Sequence, residues 1–511
     1  MTAVSQAPGA IRLGETKGRW VIAATVLGSS MAFLDSTVVN VALPTIGKDL
    51  HTSLAGLQWT VTAYTLTLAG LILLGGALGD RLGRRRVFVT GVAWFALASA
   101  LCGLAPDIGV LIAARALQGI GGALLTPGSL AIIQATFAAE DRPKAIGAWS
   151  GLGGVAGAVG PFLGGWIIGS VGWRWIFLLN LPLAAVVMAV TLRHVPESSD
   201  PTSHGRFDVA GALLAALALA GITYALIEAP AHGAARAVLT GAAGVLAFVG
   251  FVLLERHRGR SGGKVPPMLP LDVFASRQFT AVNVVTFVIY AALSGTIFLL
   301  VLQLQVVSGY SPLAAGVSLL PLTLLMLLLS PRAGALAQRF GPRWLMTGGP
   351  VLCAAGLLLA VRIGPHASYV ADVLPTVTLF GLGLSATVAP LTATVLASAD
   401  VRHAGTASGV NNAVARAAGL LAVAGLPLAV GLTGAAYSHP AMMNASFREA
   451  MVLCACLLAA SAVLSALTID NGVLRGGGDH PAPEPECRTC CPVAAPPLEP
   501  GNPVEPQPHG H

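Results

Sequence analysis

Residues 76–86 read GALGDRLGRRR, and the last seven of them carry five charged side chains. The chain has 511 residues, is 55% hydrophobic and only 10% charged, so this density marks a short polar crossing between two apolar runs. Gly76, Gly79 and Gly83 allow close helix approach and a tight turn there. The pattern Gly-Ala-Leu-x-x-Arg-x-Gly-x-Arg returns in GALAQRFGPRW at 334–344, displaced by 258 positions (334 − 76), with Gln338 where the first copy has Asp80. Ser150-Gly151 and Ser408-Gly409 repeat at the same displacement. Two landmarks with one offset predict a duplicated helical unit.

Working outward, fourteen apolar runs lie at roughly 20–42, 57–78, 87–105, 109–136, 145–169, 173–192, 208–229, 236–255, 279–304, 313–335, 344–363, 369–398, 407–433 and 448–468. A helix of about 20 apolar residues crosses the hydrocarbon core, whereas soluble core helices rarely need that length. The predicted class is an all-α integral membrane protein with 14 transmembrane helices. Residues 20–193 and 278–470 would form two pseudo-symmetric six-helix bundles, with two inserted central helices at 207–257. Residues 1–19 form a cytoplasmic N-terminal tail, and 471–511, rich in Pro, Gly and Glu, a disordered cytoplasmic one. Duplicated halves around a central site are a transporter architecture.

Charge placement sets the orientation. With the N-terminus inside, 22 of the 29 Lys and Arg fall on inward segments and 5 on outward ones, while Arg115 and Arg416 lie within apolar runs. Positive loops stay cytoplasmic, so both termini are expected inside a multi-pass protein of the cell inner (cytoplasmic) membrane. The same placement accounts for the pI near 9.2 without a nucleic-acid partner. No cleavable signal peptide is evident, because the first apolar run is too long for an h-region and lacks a small-residue cleavage site. No G-x-x-x-x-G-K-[ST] loop occurs, and the Gly-x-Gly patterns lie in apolar helices rather than after strands. The expectation is therefore no enzyme, no cofactor and no direct ATP drive. Cys102, Cys353, Cys454 and Cys456 read as small packing residues, and Cys487, Cys490 and Cys491 with His480, His509 and His511 as disordered tail rather than a metal site.

Ionisable groups at membrane depth are costly and normally face a cavity or a partner. Asp35 lies 15 residues into the first run, about 22 Å along a helix. A partly desolvated carboxyl there is suited to take up a proton near neutral pH, or to contact a cationic substrate. The alternative is a structural hydrogen-bonder, to Asn40 or Thr37. Arg115 opens RALQGIGGA (115–123) as a fixed cation that either tunes a neighbour's proton affinity or bonds carbonyls. Asp80, Arg84, Gly76 and Gly83 are candidates for a conformational latch; Gln338 weakens any second one. Gly153, Gly157, Gly160, Pro161, Gly164 and Gly165 put small residues about four apart around a helix-bending proline. Asn40, Tyr64, Gln118, Gln305, Asn412 and Arg416, with Gln303 and Asn411, are candidate cavity-lining residues. Glu228 and Asp372 read as solvated rim positions.

GALGDRLGRRR with its degenerate second copy resembles the loop between helices 2 and 3 of the major facilitator superfamily. Fourteen runs rather than twelve resemble that superfamily's drug:proton antiporter branch. FLDSTVVNVALPTI (33–46), RALQGIGGA, GAVGPFLGG (157–165) and WRWIFLLNLP (173–182) are similar to its first-helix, fourth-helix, fifth-helix antiporter and branch-specific motifs. The resemblance covers about residues 20 to 470. It implies a monomeric, proton-coupled exporter of drugs or antibiotics working by alternating access, with small-molecule substrate, protons and the lipid bilayer as partners. Asp35 and Arg115 would couple protons to substrate. The alternatives are a dedicated exporter of one endogenous metabolite or antibiotic, conferring self-resistance, and a transport-dead membrane sensor or scaffold.

Overall fold

Fourteen helices long and apolar enough to cross a membrane follow one another among the described residues. The computed structural model describes residues 11–138, 140–199, 208–261, 265, 267–398, 404–434 and 436–474. The tail cysteines and histidines singled out above lie outside these. Backbone groups in hydrocarbon must be satisfied within their own segment, which is why each apolar run becomes a helix.

The first six helices are α1 (Thr16–Asp49), α2 (Leu54–Leu82), α3 (Arg84–Gly103), α4 (Ile108–Thr136), α5 (Arg142–Ser170) and α6 (Arg174–His194). Then come α7 (Val209–His232) and α8 (Ala234–Ser261). The last six are α9 (Arg277–Val307), α10 (Pro312–Phe340), α11 (Pro342–Ala360), α12 (Tyr369–Ala397), α13 (Ala404–Ala429) and α14 (Pro440–Thr468). Side-chain oxygens start several of them. Asp107 accepts from the Val110 amide at 2.9 Å, and Ser276 and Ser311 do the same for α9 and α10. The last turn of α9 and the first of α12 widen into π-helical turns, at Gln303–Val307 and Tyr369–Val373.

Within the first six helices α1 packs on α5, and α2 and α3 on α4; within the last six α9 packs on α13, and α11 and α12 on each other. Two seams join these groups: α2 against α13, and α5 against α10. Glycine permits the second. A Cβ on Gly165 would stand 2.6 Å from Leu313 Cα, and one on Gly316 would strike the Pro161 carbonyl. The inserted pair sits on the first seam: α7 meets α2 where Gly70 faces Ala216 and α13 where Gly425 faces Leu226. The indole of Trp59 on α2 donates to Glu228 on α7 at 2.8 Å. Glu228, expected at a solvated rim, thus ties the insertion to the first helix group. Asp372 does sit at a helix start, where it accepts from the Ser368 amide at 2.9 Å. Of the fourteen spans, α8 buries the smallest share of its apolar stretch, 11%.

At the end where α1 finishes, hydrogen bonds tie the two groups together. The Leu54 amide donates to Gly434 O at 3.1 Å, and Tyr437 Oη to Thr52 O at 2.9 Å. Gln58 Nε2 donates to Val423 O and Ala424 O at 2.8 and 3.0 Å, and Gln305 Nε2 to Val41 O at 2.9 Å. The glutamines place amide donors against carbonyls that their own helices leave with a spare lone pair.

Candidate functional site

Five helices of the first group converge on one carboxylate. Asp35 on α1 is 3% exposed, and Arg115 on α4 is 1% exposed. Their ion pair closes at 2.5 Å. Gln118, one turn on from Arg115, accepts from its guanidinium at 2.7 Å and donates to Asp35 Oδ1 at 2.8 Å. Asn180 on α6 donates to the same oxygen at 3.4 Å and to Ser99 Oγ on α3 at 3.0 Å. Ser99 donates to Phe177 O at 2.8 Å, and Arg115 Nε to Thr60 O on α2 at 3.0 Å. The guanidinium lies 4.5 Å above the Tyr64 ring. A buried pair is tolerated when hydrogen bonds satisfy its remaining polar atoms, and here both Asp35 oxygens and the Nε and Nη1 of Arg115 have partners.

A central cavity of about 560 Å³ opens beside this network, between the two helix groups. Asn40, Tyr64, Asn412 and Arg416 line it, as do Gly157 and Pro161. Arg115 reaches it, and Asp35 does not. Asp35 therefore holds neither Thr37 nor Asn40, which bond to Phe33, Leu34 and Ser36 carbonyls instead. Two other expectations are corrected. Gln118 is fully buried in the ion-pair network, and Gln305 is spent on the closed end, so neither lines the cavity. Gln303 bonds Ile363 O and Asn444, and Asn411 bonds Asn283 and Thr286 while also facing the cavity.

The glycines of α5 do not share one flat face. Those at 160 and 164 meet Thr37 and Val38 of α1, Gly165 meets α10, and Gly157 stands open to the cavity. Spacing alone gave their size but not the three surfaces they serve. Pro161 carries no amide hydrogen, so α5 can bend at the level of the cavity.

In the loop quoted first, Asp80 at the end of α2 pairs with Arg84 at the start of α3 at 2.7 Å, so this bond bridges two consecutive helices across the turn at Gly83. Gly76 stands 3.7 Å, by its added Cβ, from Pro127 of α4. Gly83 takes φ +106°. Beside the Val195 and Ser198 carbonyls, which accept from Arg85 Nη1 and the Arg84 amide, the acidic external partner is Glu197, which the sequence reading missed. It accepts from the Arg85 amide at 3.0 Å and lies 3.7 Å from the Arg85 and Arg86 guanidiniums. Asn180 was missed as well, although it lies within WRWIFLLNLP; its only sequence signal was a polar amide inside an apolar run.

A model of the Major Facilitator Superfamily matches residues 25–424. The chain belongs to that superfamily. It is 36% identical over 448 residues to the methylenomycin A resistance protein of Bacillus subtilis (strain 168), covering 86% of this chain and 94% of the relative. It is 36% identical over 408 residues to the tetracenomycin C resistance and export protein of Streptomyces glaucescens, covering 78% and 74%. The puromycin resistance protein pur8 of Streptomyces alboniger is 37% identical over 79% and 80% of the two chains. Among solved structures, the POT family transporter PepTSo superposes with a TM-score of 0.64 at 16% identity, over 88% of this chain and 97% of that one. A bacterial homologue of the lysosomal transporter Spinster, inward-facing and unoccupied, gives 0.61 at 18% identity over 90% and 98%. These two share the fold. As a member of the superfamily the chain is a multi-pass membrane transporter, and the all-helical architecture expected from its apolar runs is the one found.

Proposed function

We propose that this protein exports drugs or antibiotics across the cytoplasmic membrane in exchange for protons, by alternating access between its two helix groups. The observation that carries the reading is the buried Asp35–Arg115 pair beside a cavity that both groups line. Asp35 is tied to α4 by its ion pair with Arg115 and to α6 by the hydrogen bond from Asn180, and α1 also forms part of the cavity wall. Protonating Asp35 removes the counter-charge of Arg115 and loosens α1 from α4. Because the carboxylate is outside the cavity, coupling runs through helix position rather than through direct competition with substrate. The relatives named for methylenomycin, tetracenomycin and puromycin resistance support a small-molecule substrate. They also support the second reading, a dedicated exporter of one antibiotic. Both termini are placed in the cytoplasm on charge distribution, and the protein is taken to act as a monomer.

The test is drug tolerance in an efflux-deficient bacterial host. Wild type is compared with Asp35→Asn at matched membrane abundance, against macrolides, tetracyclines, aminonucleosides and lipophilic cations. Protection against several unrelated compounds, lost in the variant, fits proton-coupled multidrug export. Protection against one compound selects the dedicated exporter. No protection at all removes the export reading, and undiminished protection by Asp35→Asn removes the carboxylate's role.

A further inference from the structure

The cavity wall has an unbalanced charge. Among the described residues its charged lining side chains are Arg115 and Arg416, and no Asp or Glu lines it. Arg115 is neutralised from behind by Asp35, whose two oxygens already accept from Arg115, Gln118 and Asn180. Arg416, in the middle of α13, has no ion-pair or hydrogen-bond partner among the described residues, and its Nε is buried. Tyr64 is a second unfilled group: it lines the same cavity, is 3% exposed, and its hydroxyl has no partner either. A guanidinium held at membrane depth without an acceptor is costly. The cost falls when an acceptor enters, and a guanidinium has donors only, so the acceptor must bring lone pairs or negative charge.

We propose that the central cavity selects apolar or aromatic compounds bearing an ionised acidic group, a carboxylate or phenolate, which Arg416 receives. The inference rests on the export reading for its physiological meaning, but not for its binding test. It reverses the expectation that a membrane-embedded Asp35 draws cationic substrates, since that carboxylate is saturated and out of reach. The apolar body of the ligand would lie against Leu293, Ile297 and the rings of Phe33 and Tyr290, all of which line the cavity.

The experiment uses the purified full-length protein in detergent and three fluorescent probes with one aromatic body: 9-anthracenecarboxylate, its methyl ester, and (9-anthracenylmethyl)trimethylammonium. Binding is read by fluorescence anisotropy. The carboxylate should bind about tenfold more tightly than the ester or the cation, the factor expected for one charge-assisted hydrogen bond. Arg416→Gln should abolish that preference, bringing carboxylate binding down to the level of the ester, which still binds through its aromatic body, and Arg416→Lys should keep part of it. The lysine variant guards against misreading a folding defect, as does retention of ester binding. Equal or tighter binding of the cation by wild type overturns the proposal, as does a carboxylate preference that survives Arg416→Gln. The export reading fails separately. In the growth assay, protection confined to lipophilic cations and indifferent to Arg416→Gln overturns the acidic-substrate proposal while export stands. Absence of any protection, with the carboxylate preference intact in vitro, overturns export alone.

Discussion

Gly83 and Gly341 stand 258 positions apart (341 − 83), and each turns its chain with positive φ, +106° and +93°, against an acceptor side chain that follows the sixth helix of its group. At Gly83 the acceptor is Glu197, and at Gly341 it is Asn471, whose Oδ1 takes the Arg343 amide at 3.1 Å as Glu197 takes that of Arg85 at 3.0 Å. The repeated string at 76 and 334 therefore comes with a repeated turn geometry. A Cβ at Gly83 would lie 2.7 Å from Glu197 Oε1. Gly83→Ala should destabilise by about 2 kcal/mol from backbone strain and the clash together. The melting temperature of the purified protein checks this, and Glu197→Ala in the same chain should recover only the steric part. An unchanged melting temperature for Gly83→Ala would contradict it.

The Asp35–Arg115 pair predicts a non-additive response. Asp35→Asn leaves a buried guanidinium without its counter-charge, and Arg115→Gln leaves a buried carboxylate, each at about 3–5 kcal/mol. The double variant leaves neither charge, so its thermal stability should exceed that of both single ones, while drug tolerance stays at the empty-vector level in all three. Additive losses of stability would show that the two side chains are not a coupled pair.

The α5–α10 seam leaves no room for a side chain at Gly165 or Gly316. Gly165→Leu should force the helices apart and abolish efflux of a fluorescent substrate from loaded cells, with membrane abundance within about twofold of wild type. Gly157→Ala is the contrast, because nothing lies within 4 Å of an added Cβ there. Equal efflux by Gly165→Leu and wild type would mean the seam tolerates separation.

At the closed end, Tyr437→Phe removes the bond to Thr52, and Gln305→Ala the bond to Val41. Each is worth about 1 kcal/mol. Together they should raise the labelling rate of Val41→Cys by a membrane-impermeant thiol reagent about tenfold or more, in a background lacking other reactive thiols. Val41 is 1% exposed and lines the cavity, so its labelling reports opening. A rate unaffected by the double change would show that these bonds do not hold that end shut.

Much of the fold was legible because membrane insertion is a local problem. A run such as WVIAATVLGSSMAFLDSTVVNVAL can only be satisfied as a helix in hydrocarbon, and its length announces the crossing. Asp35, Arg115 and Arg416 were conspicuous for the same reason: a charge inside an apolar run has to be accommodated. The repeat at 76 and 334 also needed no coordinates.

Partners were another matter. Which of the polar groups meets Asp35 depends on the rotation of α3, α4 and α6, and helices that are apolar all round carry no periodic signal of that rotation. So Ser99, Gln118 and Asn180 joined the carboxylate only in three dimensions, and Gln118 and Gln305 left the cavity they were expected to line. The tertiary structure likewise turned Asp35 away from the cavity and left Arg416 facing it. The sequence by itself determined how many helices cross and which of them carry charge. Packing decided which of those charges are neutralised and which one still has room for a ligand.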